Sequence, residues 1–286
     1  MKYFDLHCDT MAVLYNKNTD FSNTDLHINS QVLAPFEKVR QCFAVCFFDV
    51  PERISTNCIE EYKKARAHFD LCLAKEPKID PIYTTEGGIV LEGDIKNLDI
   101  LRDMDVKIFG FTWNGENQLG TGNKTDPQAP LTKLGLEVVK KLEEYGMYPD
   151  VSHLSDRGTK DILNHTDMPV IATHTNARSV HDHFRNLPDD YLKEIFARGG
   201  LVGLNLCKAF LSDSPKLEDI LPHLDKMLHL GGEGKVCLGG DWDGCALPND
   251  TRGVEDIVRI HNLISRSFST EIADGVVWKN GERFGL

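Results

Sequence analysis

The sequence predicts an α/β protein: a single-domain (β/α)8, TIM-like barrel over residues 1–286, ending in a C-terminal helical cap. Three observations predict it. Short apolar runs alternate with stretches of helical period from one end of the chain to the other. The runs are dense in apolar residues, as strands buried on both faces are. The first of them ends in "HCDT", without the glycine-rich phosphate turn that an open doubly wound sheet usually carries there.

The predicted strands lie near residues 2–7, 41–48, 82–86, 108–113, 147–151, 169–174, 201–206 and 236–240. Between the second and third, Ile59, Tyr62, Phe69 and Leu73 form one face of a helix, with Ser55 or Thr56 as its N-cap. Before the fifth strand, Leu131, Leu134, Val138, Leu142 and Tyr145 make a second stripe, and Gly146 suits the position just past its end. "NLPDDYLKEIFARGG" and "DSPKLEDILPHLDKMLHLGG" read as helices stopped by glycine pairs. "SFSTEIADGVVWKNGERFGL" supplies the cap. No linker, low-complexity segment or short repeat interrupts this alternation.

Composition narrows the function. A formal net charge of -12 disfavours nucleic acid and anionic membrane as partners, since both need a basic face. The N-terminus lacks the apolar core of a signal peptide, and no run of apolar residues is long enough to span a bilayer, so a cytoplasmic location is expected. The eight cysteines form no C-x-x-C pair and read as reduced, buried small side chains. Cys8 would point away from its neighbours His7 and Asp9 on a strand.

In a barrel of this type, chemistry sits at the C-terminal ends of the strands. Strand one ends in His7 and Asp9, strand three in Glu86 and strand five runs into His153. Strand six ends in His174 and strand eight in Asp241. Taken alone, each is an ordinary turn or loop residue. Together, polar groups at the ends of very apolar strands are costly unless paired or bound to metal. Glu92 rivals Glu86, and Asp243 rivals Asp241. His181 and His183 form a second H-x-H pair, read as loop. His27, His68, His165, His223, His229 and His261 receive no role.

A ring of histidines and carboxylates suits zinc or a similar divalent ion. Five strand ends carrying such residues offer more ligands than one catalytic zinc with an open position needs, and they suit two ions sharing a carboxylate. Such a pair activates a bridging water, while a nearby carboxylate moves the proton. No G-x-S-x-G motif offers a competing nucleophile.

The order and spacing of "DLHCDT", "TTEGG", "FTWNGENQLGTGN", "DVSHLS", "ATHTNARSV", "HFRNLPDD" and "LGGDWDG" resemble the membrane (renal) dipeptidase family across nearly the whole chain, closest to its shorter bacterial members. The resemblance implies two divalent ions, zinc foremost, and a dipeptide substrate cleaved by a metal-bridging hydroxide. It implies that His7 and Asp9 hold one metal, His153 and His174 the other, and that Glu86 bridges both. It assigns Arg185 to the substrate's terminal carboxylate and Asp241 to acid/base chemistry. It also implies tolerance of a C-terminal D-residue, and dimers, which members often form. Trp113 departs from the family, whose animal enzymes carry a substrate-contacting histidine there. Oxyanion stabilisation then rests more on the metals or on Asn114 or Asn117, and substrate preference is open to change. The alternatives are hydrolysis of another amide or lactam, or peptide binding with little catalysis.

Overall fold

The computed structural model describes residues 1–47 and 57–286. Phe48, in the second predicted strand, and Ser55 and Thr56, the expected helix cap, lie outside the described residues. The strands are β1 (Lys2–Cys8), β2 (Lys38–Cys46), β3 (Ile79–Glu86), β4 (Val106–Gly110), β5 (Tyr148–Asp150), β6 (Ala172–Thr175), β7 (Val202–Leu204) and β8 (Val236–Leu238). All pair in parallel, in the order β5-β4-β3-β2-β1-β8-β7-β6. The two ends of that order meet. Ile171, just before β6, donates to Pro149 O at 3.0 Å and accepts from Val151 N at 2.9 Å. The predicted barrel is therefore nearly closed.

Several predicted strands run past the observed ones. Phe111 and Leu206 follow β4 and β7, and both are fully buried without joining the ladder. An apolar run reports burial, not pairing.

The helices follow their strands. Cys58–Leu73 follows β2 and buries Ile59, Tyr62 and Phe69 as expected. Lys133–Tyr145 begins at Thr132, whose hydroxyl accepts from Gly135 N at 3.0 Å, and ends at Gly146 with φ 67. Ser155 caps Asp156–His165 in the same way, at 2.9 Å from Gly158 N.

Two apolar layers result. Phe4, Leu6, Cys42, Ile82, Ile108, Ile171 and Cys237 fill the barrel interior, while Tyr3, Cys8 and most other buried residues pack between sheet and helices. The C-terminal segment closes the far end of the barrel. Leu286 joins the interior cluster, and Gly281 lies so close to Phe4 that a Cβ would meet its ring at 2.3 Å.

Register breaks twice where it matters. On β1, Asp5 pairs Gln41 but Cys8 pairs Phe43, so β1 carries one extra residue. On β6, Ala172 pairs Val202 and Thr175 pairs Leu204, again one extra. His7 and His174 lie within these bulges. A bulge lets consecutive residues escape strict alternation and re-aims a side chain. Phe4 and Leu6 face the interior, Cys8 faces the helices, and His7 reaches the mouth.

Candidate active site

The strand ends gather His7, Asp9, Glu86, His153, His174 and Asp241 into one cluster. Glu86 stands at its centre. Its Oε2 lies 3.5 Å from His7 Nε2, and its Oε1 lies 2.7 Å from His153 Nε2 and 3.6 Å from His174 Nε2. His7 Nε2 is also 3.7 Å from Asp9 and 3.9 Å from Asp241. Each oxygen of Glu86 thus faces one group of histidine nitrogen. Glu92, the rival, is exposed on the turn beyond.

Buried carboxylates and amides hold these groups. Asp150 Oδ2 accepts from the Thr173 hydroxyl at 2.6 Å, which commits that proton. The 2.9 Å contact between Thr173 Oγ1 and His174 Nδ1 must then be donated by the histidine, leaving Nε2 as a lone pair. Asn114 Oδ1, only an acceptor, stands 3.0 Å from His153 Nδ1 and fixes the same tautomer there. Asp5, on β1, pairs with Leu238 of β8. It accepts from His7 N, Gly240 N and Trp242 Nε1 at 2.8, 2.8 and 2.9 Å. Directly above, Asp241 N donates to His7 O and Asp9 N to Trp242 O. His153 and Asp241 take left-handed backbone, with φ 68 and 58, a conformation that few such residues adopt without surrounding support.

Charge is distributed unevenly. Burial opposes a cation at His7, but Glu86 and Asp9 outweigh it and hold its pKa well above the usual value. Burial opposes the Glu86 anion too, and His7 and His153 hold it well below. Burial, reinforced by Glu86, pushes Asp9 up to about 7. Burial and the Arg185 guanidinium bring His153 down to about 4, and burial with His7 and Arg185 lowers His174 well below the ordinary value.

These residues fit a bound cation. His7 Nε2 and Asp9 Oδ1 are buried without a hydrogen-bond partner among the described residues. Two neutral histidines present Nε2 lone pairs 3.0 Å apart, with Glu86 beside them. Only a shared positive charge makes that arrangement favourable. Gly244 completes the cradle, because a Cβ there would lie 1.9 Å from Asp9 Oδ2 and 2.6 Å from Asp241 Oδ1.

The cluster opens into a cavity of about 460 Å³ lined by Trp113, Asn114, Arg185 and Phe210. That volume is in the range of small-molecule sites. Arg185 is buried, with Nη2 donating to His174 O at 3.2 Å. His183 lies in the loop expected for it; its Nδ1 accepts from Arg185 N at 3.2 Å. Asp243, the other decoy, accepts from Thr10 Oγ1 and His27 N, both at 2.6 Å, and ties loops together.

Residues 1–284 match the model of the membrane dipeptidase family, peptidase family M19. The chain belongs to the membrane dipeptidase family. It is thus a hydrolase of a metal-dependent dipeptidase family. A relative described as an uncharacterised Klebsiella pneumoniae protein in the pqqA 5′ region is 33% identical over 209 residues, 68% of this chain and 77% of the relative. The crystal structure of dipeptidase AC, a family M19 metallopeptidase, superposes with a TM-score of 0.84 over 98% of this chain and 96% of that one, at 22% identity. A Rhodobacter sphaeroides metallopeptidase, solved with a phosphinate mimic of the dipeptide L-Ala-D-Ala, gives 0.79 over 98% and 97%, at 21%. These two likenesses are of fold. For all the family's name, no helix among the described residues of this membrane dipeptidase relative is long and apolar enough to cross a membrane.

The sequence reading missed the supporting side chains. Asp5 and Asp150 signal themselves as carboxylates inside apolar strands, which burial forbids unless they are bonded. Nothing in the sequence pointed to Asn205, whose amide donates to Asp241 Oδ2 at 3.4 Å.

Proposed function

We propose that this protein hydrolyses dipeptides with two divalent ions, zinc foremost, held by His7 and Asp9 on one side and His153 and His174 on the other, with Glu86 shared. The observation that carries this reading is the split of Glu86: Oε2 toward His7, Oε1 toward His153 and His174. When bound, such ions supply Lewis acidity and an activated water.

The chain's own residues do the rest. Asp241 takes the proton from the attacking water and returns it to the leaving nitrogen. Burial raises its carboxyl above the ordinary value, with His7 pulling against the rise and Glu86 adding to it. That direction suits a base working near neutral pH. Asn205 steadies its Oδ2. Arg185 receives the substrate's free carboxylate. Its Nε is buried without a hydrogen-bond partner among the described residues, so a donor is available. A gate of this kind favours dipeptides over longer chains. The Rhodobacter sphaeroides neighbour was solved with an L-Ala-D-Ala mimic, and a D-residue in the second position is the first stereochemistry to try here. Trp113 and Phe210 supply apolar walls to the cavity.

The test is hydrolysis by the zinc-loaded protein of L-L, L-D and Gly-containing dipeptides, with tripeptides as controls. Release of amino acids from dipeptides alone is expected, and Asp241→Asn should abolish turnover with metal retained. Silence across the panel, with metal verified, would sink the reading and favour another amide.

A further inference from the structure

Three cysteines face the catalytic cavity: Cys46, Cys207 and Cys245. Two of them meet. Cys207 precedes the short helix Lys208–Leu211 beyond β7, and Cys245 lies in the turn after β8, where its N–H donates to Asp241 O at 3.2 Å. Both sulfurs and a carboxylate oxygen of Asp241 lie within 4.8 Å of one another. No disulfide joins them.

The backbone builds this trio. Lys208 N donates to Ala246 O at 2.9 Å, which pins the two cysteine segments side by side. Asn205 spans the gap, accepting from Cys207 N with its oxygen and donating to Asp241 with its nitrogen.

We infer that Cys207, Cys245 and Asp241 form a further cation site, which adjoins the histidine cluster and shares Asp241 with it, and that takes a thiophilic divalent ion such as Cd2+ or excess Zn2+. Two sulfurs and one oxygen are a softer donor set than the imidazoles and carboxylates around Glu86, so a soft ion distinguishes the two sites. The open side of the trio faces the cavity, leaving room for water or substrate to complete the coordination. Occupation engages the Asp241 carboxylate, so it inhibits hydrolysis. That consequence, unlike the site itself, rests on the proton-transfer role proposed above.

Zinc-loaded protein, kept reduced with a phosphine, is titrated with Cd2+ while the ultraviolet thiolate-to-cadmium band and dipeptide hydrolysis are followed together. One equivalent per chain is expected to produce the band, and activity is expected to fall in step. Cys207→Ser and Cys245→Ser should each weaken the binding by at least the roughly 10–100-fold that changes in outer-sphere partners already cost. Cys46→Ser controls for the neighbouring thiol, which approaches Asp9 and Glu86, and should keep the band. No band in reduced protein, a band that survives both serine variants, or one lost only in Cys46→Ser would overturn the site. A band with unchanged hydrolysis would uphold the site and remove the role of Asp241. A band in a protein inactive on every dipeptide would uphold the site and reject the dipeptidase reading.

Discussion

The Asp150 carboxylate accepts the Thr173 hydroxyl proton at 2.6 Å and the Thr173 N–H at 3.0 Å, one step removed from a proposed metal ligand. Because Thr173 has a single hydroxyl proton, this bond decides which nitrogen of His174 carries hydrogen. Asp150→Asn offers an amide N–H to the hydroxyl instead. The Thr173 proton then turns toward His174 Nδ1 and the wrong tautomer results. Zinc affinity should fall by about 10–100-fold while the chain stays folded. Competition with a chromophoric chelator measures it, and an unchanged affinity would reject the relay.

Gly244 tests the cradle by shape alone. Its Cβ space is already held by Asp9 Oδ2 and Asp241 Oδ1, so Gly244→Ala must swing both carboxylates. Metal retained after gel filtration and turnover should both drop sharply. Stability should change by no more than the roughly 1–3 kcal/mol typical of overpacking. Full metal retention with full turnover would show that neither carboxylate matters where it stands.

Arg185→Lys keeps the charge but loses the planar fork. A charged hydrogen bond is worth about 1.5–3 kcal/mol, so KM for a dipeptide should rise by about tenfold or more, with kcat changed less. Discrimination between a dipeptide and its C-terminal amide should collapse with it. A variant that still rejects the amide would place the carboxylate elsewhere.

His223 gives a pH dependence away from the catalytic cluster. Its Nδ1 accepts from Ala177 N at 3.2 Å, so Nε2–H donates to Leu211 O at 3.0 Å and the ring is held neutral. Burial lowers its pKa, with the Leu211 contact opposing. A lowered histidine pKa means that the unfolded chain takes the proton first as pH falls. Stability from this residue is complete above about 6.5, the unfolded value, and is lost below it until the folded pKa is reached. Urea unfolding from pH 7.5 to 5.5 should show a steeper loss for the native chain than for His223→Asn. Parallel curves would contradict the assignment.

The barrel and the cluster were legible for one reason: strand ends in a parallel barrel share a rim, so residues far apart in sequence converge once strand order is known. His7, His153 and His174 needed only that rule, whereas Glu86 needed the family resemblance to be preferred to Glu92. What supports them was not legible, because the bonds are long-range or to backbone. Asp5 and Gly240 lie 235 residues apart. The bulges on β1 and β6 are also invisible to simple alternation, which cannot register an added residue. Cys207 and Cys245 read as inert core thiols because nothing in their flanking residues announces the backbone bond, Lys208 N to Ala246 O, that sets their segments side by side. Asn114, expected at the substrate, puts its oxygen on His153 as well, a contact set by the fold of the loop after β4.

Think of the strands as staves. Some neighbouring staves are joined along their length, as β2 and β3 are from Val39 to Cys46, and others more thinly, as β1 and β8 are at Asp5 and Leu238. Between β5 and β6 the join is a single bridge, Asp150 to Ile171. His153 and His174 stand on opposite sides of that seam with their Nε2 atoms 3.0 Å apart. An ion gripped by both is therefore a rivet as much as a reagent. Free metal at about a hundred times its dissociation constant adds about 2.7 kcal/mol to folding, and in the proposed site that energy would be applied across a thin joint of the wall. Chelation should loosen the hoop at the seam first, so the same event that silences the enzyme also begins to unclose it.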